Sequence, residues 1–348
     1  MAISARAMLS AAGLLSVLAT CSCGKVAGRG ATPGQPVAGH LKLRRSVVLE
    51  QPDSALIGQF TDLDVGPDGQ ILLADLMQSN ARLYDSTGRL MRVFGRAGDG
   101  PGEFRIPRHP RFAADAHILI SAAQGVVHEF SSTGVSIRTI RPEGLVFDLG
   151  FRVLENGDLL SLGYTGDSFT LVRYDSSGGN PRKLFVRQGV PVADQPDSPR
   201  WTGLNLYFFG QMADTAWVVA ALSDTLWKVN IRTGETTAAV MSFPGLVRPT
   251  LPPASAPAGF DWATAFFRAG PPVASAGLVA IPFTRGFVFA ENEGQAALVW
   301  SEPTGWISVK NAPTIIGAAH GDVVARTIDD SGMVRLDFLT PVAGVTPE

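Results

Sequence analysis

An all-β fold of repeated four-stranded antiparallel sheets is what this sequence predicts. Three observations carry the prediction. Short apolar runs of strand length are separated by turn residues, with 38 Gly and 24 Pro among 348 residues. The stretch from Phe60 to Phe104 reads as one complete four-strand meander. Degraded copies of it follow, the turn glycines Gly88, Gly134 and Gly178 recurring at offsets of 46 and 44 residues. Four strands per repeat at this period are the mark of propeller blades. With 45% hydrophobic and 17% charged residues the chain can fill a large core.

Within Phe60–Phe104, the first run ends at Gly66-Pro67-Asp68-Gly69. Asp-Gly between apolar runs signals a hairpin, because Gly takes the positive φ of the tight turn. Ile71–Ala74 is apolar throughout, as a strand buried on both faces must be. Ala81–Asp85 is the third run, and Asp85-Ser86-Thr87-Gly88 is a turn with acceptor side chains in front and Gly behind. Leu90, Arg92 and Phe94 alternate with Met91 and Val93 in a fourth strand, and Gly95–Gly102 leads out of it. One such sheet cannot cover both of its own faces and needs neighbours.

The second copy spans Phe112–Ile140, and the third has turns at Asn156-Gly157-Asp158 and Asp175-Ser176-Ser177-Gly178. Ala216–Leu222 and Leu226–Ile231 belong to a fourth. A fifth has Gly277–Ile281, Gly286–Ala290 and Ala297–Trp300, with either Glu293-Gly294 or Thr304-Gly305 as its outer turn. The sixth has three strands: Ile315–Ala318, Asp322–Thr327 and Met333–Leu339. Leu41–Glu50 has strand character and no partner, so it supplies the missing outer strand. The expectation is a six-bladed β-propeller over residues 41–340, closed by an N-terminal strand, with 341–348 as a tail; five blades follow if the fifth is misassigned. Tracts at 190–199 and 244–272 interrupt the repeats as long connections.

Arg6 and the apolar Met8–Ala19 form a targeting segment too short for a stable bilayer span. Leu18-Ala19-Thr20-Cys21 resembles a bacterial lipoprotein cleavage box, with Thr20 departing from the usual small residue and Cys23 as a second candidate. An ordinary secretory cleavage near Ala19 is the alternative. A Cys-x-Cys metal or redox site has no further Cys to complete it, since the chain has 2. Residues 1–21 are expected as signal peptide and 22–40, rich in Gly, Ala and Pro, as a flexible tether.

The tract GRAGDGPGEF (Gly95–Phe104), and the ILLAD and N-x-R-L-Y-D-x-x-G patterns of Ile71–Gly88, resemble the bacterial NHL-type six-bladed propellers, many of them exported lipoproteins. The resemblance is strong over residues 60–180 and rhythmic beyond. It implies protein or RNA binding, or lyase or lactonase chemistry with a metal in the central channel; the fold does not choose.

Strands alternate direction, so one propeller face collects the loops between second and third strands together with the blade-to-blade connections. That face receives Asp75, Asn80 and Arg82, which either contact a ligand or stabilise their own loop. It also receives Arg108, His109 and Arg111, at the start of a channel-lining strand, and Asp62, the equivalent of His109 one blade earlier. These could bind an anion or a small sugar, or simply line a solvated channel. Trp262, Phe266 and Phe267 lie in a Pro-rich connection, as a lid or partner contact if not core. Net charge is -2 and no run of five or more Lys/Arg occurs, so nucleic acid is not expected.

The catalytic inventory is poor. Of five His, only His109 and His320 fall near the expected mouth, too few for a three-His zinc site. Calcium on carboxylates such as Asp62 with backbone carbonyls stays open. The Gly-rich tract lacks the GK[ST] of a phosphate loop, and no G-x-S-x-G elbow occurs. The expectation is a membrane-tethered module binding a protein or small polar ligand, without a predicted cofactor. The alternative is a metal-dependent hydrolase or lyase acting on a sugar, lactone or peptide. Intact-mass analysis of the membrane fraction should show lipid on Cys21 or Cys23; no lipid mass on either would rule the anchor out.

Overall fold

The computed structural model describes residues 36–37, 40–53, 56–60, 62–165, 168–188, 207–221, 223–242, 267–285, 296–302 and 304–342. Its strands assemble into six small antiparallel sheets arranged as a six-bladed β-propeller. Blade 1 comprises Leu63–Val65, Ile71–Asp75, Asn80–Tyr84 and Leu90–Phe94. Blade 2 comprises Arg108–Phe112, Ile118–Ser121, Val127–Phe130 and Ser136–Ile140, and blade 3 Phe147–Val153, Leu159–Tyr164, Ser168–Tyr174 and Arg182–Gln188. Tyr207–Met212, Thr215–Ala220, Thr225–Asn230 and Thr236–Val240 form blade 4. The first strand of each blade is its innermost. These strands touch their neighbours in order around the ring, blade 6 closing back on blade 1.

The period-2 logic of a strand explains the cores. Ile71 and Leu73 point one way and join the cluster shared with blade 6, which includes Val324, Leu336 and Phe338. Leu72 points the other way, into the cluster shared with blade 2, beside Ile118, Ile120 and Phe130. The remaining interfaces are filled in the same manner. A strand sandwiched between two blades therefore needs apolar residues on both faces, and that is why the second strands read as unbroken apolar runs.

Blade 5 departs from expectation. Phe267–Ala269 and Val273–Ser275 share the innermost position, both pairing with Leu278–Arg285, so the blade begins ahead of Gly277 and inside the tract expected as a connection. Pro282 has no N–H to offer on that side; its carbonyl accepts from Gly270 N at 2.8 Å, and the inner strand breaks there around Gly270-Pro271-Pro272. Ala296–Ser301 pairs with Gly305–Lys310, which makes Thr304-Gly305 the outer turn. Residues 286–290, expected as a strand, and 293–294 lie outside the described residues, as do 190–199.

Blade 6 contains Thr314–Ala319, Asp322–Ile328 and Val334–Pro341, and its fourth strand is Leu41–Val48. Pairing runs from Leu41 opposite Pro341 to Val48 opposite Arg335, with Ser46 Oγ donating to Asp337 Oδ1 at 2.6 Å. The expected tether ends sooner than residue 40, because Pro36–Val37 adds a short strand against Leu41–Lys42. Proline is tolerated there because, among the described residues, that edge has no further partner to supply with an N–H.

The Gly-rich tract is a connector. Arg96–Ala97 pairs with Glu103–Phe104, and the Glu103 carboxylate accepts from Arg96 at 2.9 Å and from Gly100 N at 2.8 Å. Gly95 has φ 68°, and a Cβ there would stand 2.1 Å from the Phe104 ring. Phe104 is buried between blades 1 and 2, edge-on to Phe130 at 5.6 Å.

Leu41, Leu43 and Val47 are buried in the two interfaces flanking blade 6. Each contributes about 2 kcal/mol by burial. Deleting residues 36–48 should lower the melting temperature of the domain by roughly 10 °C or more, a shift that scanning calorimetry would detect; an unchanged melting temperature would contradict the closure.

Candidate functional site at the channel mouth

The innermost strands of blades 1, 2 and 3 begin on one face and lie side by side, and charged side chains along them come together. Asp62 precedes Leu63–Val65, His109 and Arg111 stand in Arg108–Phe112, and Asp148 and Arg152 in Phe147–Val153. Arg111, only 4% exposed, reaches three blades. Its Nη2 donates to Asp62 Oδ2 at 2.5 Å, Nη1 to the carbonyls of Pro110 at 2.6 Å and Leu63 at 3.4 Å, and Nε to Phe151 O at 3.0 Å. A guanidinium so buried needs this full set of acceptors.

Asp62 also accepts from His109, whose Nδ1 is 2.9 Å from the same Oδ2. Burial opposes the Asp62 charge, but the Arg111 cation and then hydrogen bonding by His109 outweigh it and hold the carboxyl at about 2. An ionised Asp62 can only accept, so His109 Nδ1 carries the proton and Nε2 faces away from Asp62. Nε2 stands 3.9 Å from Asp148 Oδ2. Asp148 accepts from Ser121 Oγ at 2.8 Å, and Ser121 also bonds the Arg108 carbonyl. Arg152 Nη1 donates to Phe151 O at 2.7 Å and lies 4.0 Å from Asp62, its guanidinium 5.5 Å from the centre of the Phe209 ring. The chain arrives here under strain: Ile106 has φ 55° and His109 φ 42°, values that β-branched and bulky residues rarely adopt.

Asp64 sits between blades 1 and 2 and accepts from Phe112 N at 2.9 Å. Burial raises its carboxyl to about 6, with Arg111 and the Phe112 N–H pulling the other way and Asp62 adding to the rise.

Several sequence candidates lie elsewhere. Asp75 and Arg82 are buried inside blade 1 and paired at 3.2 Å. The Asp75 carboxylate also accepts from the N–H groups of Gly58, Gln59, Met77 and Gln78, and Asn80 accepts from Arg82 Nε. These three knit the loop and present no charge to a ligand. Arg108 is partly exposed, and its side chain has no hydrogen bond or ion pair among the described residues. His320 is a correction: it occupies the turn between first and second strands of blade 6, on the opposite face, 3.2 Å from the Gly66 carbonyl. His117 pairs with Glu129 at 2.7 Å, and His128 packs against Phe104. Trp262, Phe266 and Cys21 lie outside the described residues, and Phe267 opens the short strand of blade 5.

Asp64, Ser121, Asp148 and Arg152 escaped sequence reasoning. Asp148 was within reach, because it opens the third innermost strand as His109 opens the second. Among the described residues, no group of three or more His, Cys, Asp or Glu could hold a metal ion. Asp62, named above as one carboxylate open to calcium, is bonded by Arg111 and His109. No helix among them is long and apolar enough to cross a membrane.

Neither a family profile nor a curated protein matches the chain. Solved structures do. A Bacteroides fragilis protein described as exported superimposes with a TM-score of 0.61 and 14% identity, over 89% of this chain and 98% of its own. A duf4221 family member from Bacteroides vulgatus gives 0.63 and 9%, over 88% of this chain and 100% of its own. Identities this low establish a shared fold.

The Asp64 shift has a sign. Its folded value lies above the ordinary 3.8, so the folded protein holds a proton that the unfolded chain has lost. Stability from this group is therefore greatest near pH 4 and declines as pH rises through 6. Asp64→Asn should stabilise the domain at pH 7.5 by on the order of 1 kcal/mol or more, and the gain should vanish near pH 4; denaturant melts at the two pH values would show it.

Proposed function

We propose that this protein is an exported, membrane-tethered binding module that holds a small polar ligand at the channel mouth. One observation carries the reading. Three blades converge their polar side chains on a single point, Asp62 meeting His109 and Arg111 with Asp148 and Arg152 close by. Burying that much charge for stability alone is unrewarding, since an apolar ring of the same volume would serve as well. The backbone strain at Ile106 and His109 falls at the same place. The signal-like N-terminus and the exported neighbour support the address outside the cytoplasm.

A metal-dependent hydrolase or lyase is less well supported. The carboxylate best placed for a cation, Asp62, already faces two arginines and a histidine.

Thermal-shift screening of the mature domain against a library of polar metabolites tests the function. At least one compound should raise the melting temperature, and His109→Ala should abolish that shift. A library with no hits, or hits indifferent to His109→Ala, would reject the site.

A further inference from the structure

The mouth has spare hydrogen-bonding capacity, and its pattern defines a ligand class. Asp62 is occupied by Arg111 and His109, and Asp64 by the Phe112 N–H. Arg152 is different. A guanidinium carries five N–H donors in a rigid fork. The one hydrogen bond that Arg152 makes among the described residues runs from Nη1 to the Phe151 carbonyl, which leaves Nη2 and Nε open. The head group rests against Phe209, and the side chain keeps 18% of its surface exposed. Apolar support on one side reduces its hydration and fixes its direction. Open, parallel N–H donors on a fixed guanidinium match the two oxygens of a carboxylate.

A second vacancy lies beside the first. His109, 14% exposed, has no hydrogen-bond partner for Nε2 among the described residues. Asp148 is nearly fully buried and accepts one hydrogen bond there, from Ser121, although a carboxylate has room for several. Their nearest atoms are 3.9 Å apart, beyond hydrogen-bond distance. A hydroxyl between them can accept from Nε2–H and donate to the carboxylate when the ring carries both protons, and donate to Nε2 when the ring is neutral. Asp62 links the two vacancies, 2.9 Å from His109 and 4.0 Å from Arg152.

We infer that the ligand is a hydroxy-carboxylate, its carboxylate on the Arg152 fork and a neighbouring hydroxyl between His109 Nε2 and Asp148. This rests on the binding function proposed above and names its chemistry. A purely apolar ligand would strip water from Arg152 without replacing its hydrogen bonds, at a cost of a few kcal/mol. A cation would meet Arg152 and Arg111 at close range.

Calorimetric titration of the mature domain with D-glucuronate, D-galacturonate, D-gluconate and L-malate tests the inference, each acid beside its methyl ester or uncharged parent. At least one acid should bind, and its uncharged counterpart should bind tenfold more weakly or worse. Arg152→Met should weaken the acid by roughly tenfold or more and leave the counterpart unchanged. Arg152→Lys, which keeps the charge without the fork, should fall between, and the melting temperatures of both variants report folding. Binding of no acid, equal binding of an acid and its counterpart, or full affinity in a folded Arg152 variant would overturn the assignment. Tighter binding of glucose 6-phosphate than of any acid would also overturn it. Should the metabolite screen give hits sensitive to His109→Ala while every acid fails, the binding function survives and the carboxylate assignment does not.

Discussion

Arg111 carries a full positive charge into the wall of the ring, where water can scarcely follow. A buried cation left unpaired costs several kcal/mol, so its surroundings are dictated. Blade 1 must supply a carboxylate, and Asp62 does; blade 3 must turn a carbonyl inward, and Phe151 does. Asp62, once fixed, orients His109 by holding Nδ1. Asp64 bears the cost of this arrangement, its charge disfavoured by burial and by Asp62. The geometry of this cluster on blades 1 to 3 thus follows from one side chain.

Elsewhere the ring is held by packing. Every blade interface has its own apolar cluster, and residues of a single strand serve two of them by alternation. Such a design tolerates local irregularity. Blade 5 breaks its inner strand beside Pro282 and still buries Ala280, Ile281 and Phe283. Irregularity of this kind weakens a sequence repeat without harming the fold, because only the apolar positions are constrained.

That difference sets what the sequence reveals. Blade number, strand order, the closing strand and Phe104 as an inter-blade residue were all legible, since each follows from spacing and alternation. The start of blade 5 was hidden, because Gly270-Pro271-Pro272 carries the composition of a loop while lying within a strand position. The site was half legible. Asp62 and His109 occupy equivalent positions in successive blades, and equivalence predicts proximity. Asp75 and Arg82 looked equally polar, and only burial separates them from the mouth. Arg152 was invisible, because a lone Arg in a strand says nothing about which acceptors surround it. His320 misled, because its place in the chain does not announce which face a turn will occupy.

The closing strand also fixes a chronology. Leu41–Val48 is among the first parts of the propeller to be synthesised, and its partner Val334–Pro341 is the last. The contact Ser46–Asp337 spans 291 residues of chain. For a polypeptide that emerges N-terminus first, whether from a ribosome or a translocation pore, the strand must wait unpaired until nearly the whole chain has appeared. Blades 1 to 5 can assemble meanwhile as an open arc, so the final step is a single long-range closure, slow and entropically costly. An unpaired strand edge invites aggregation while it waits. Lys42, Arg44 and Arg45 in that strand give it charge to resist such encounters, so the sequence of the closing strand guards the interval before the ring exists as well as the ring itself.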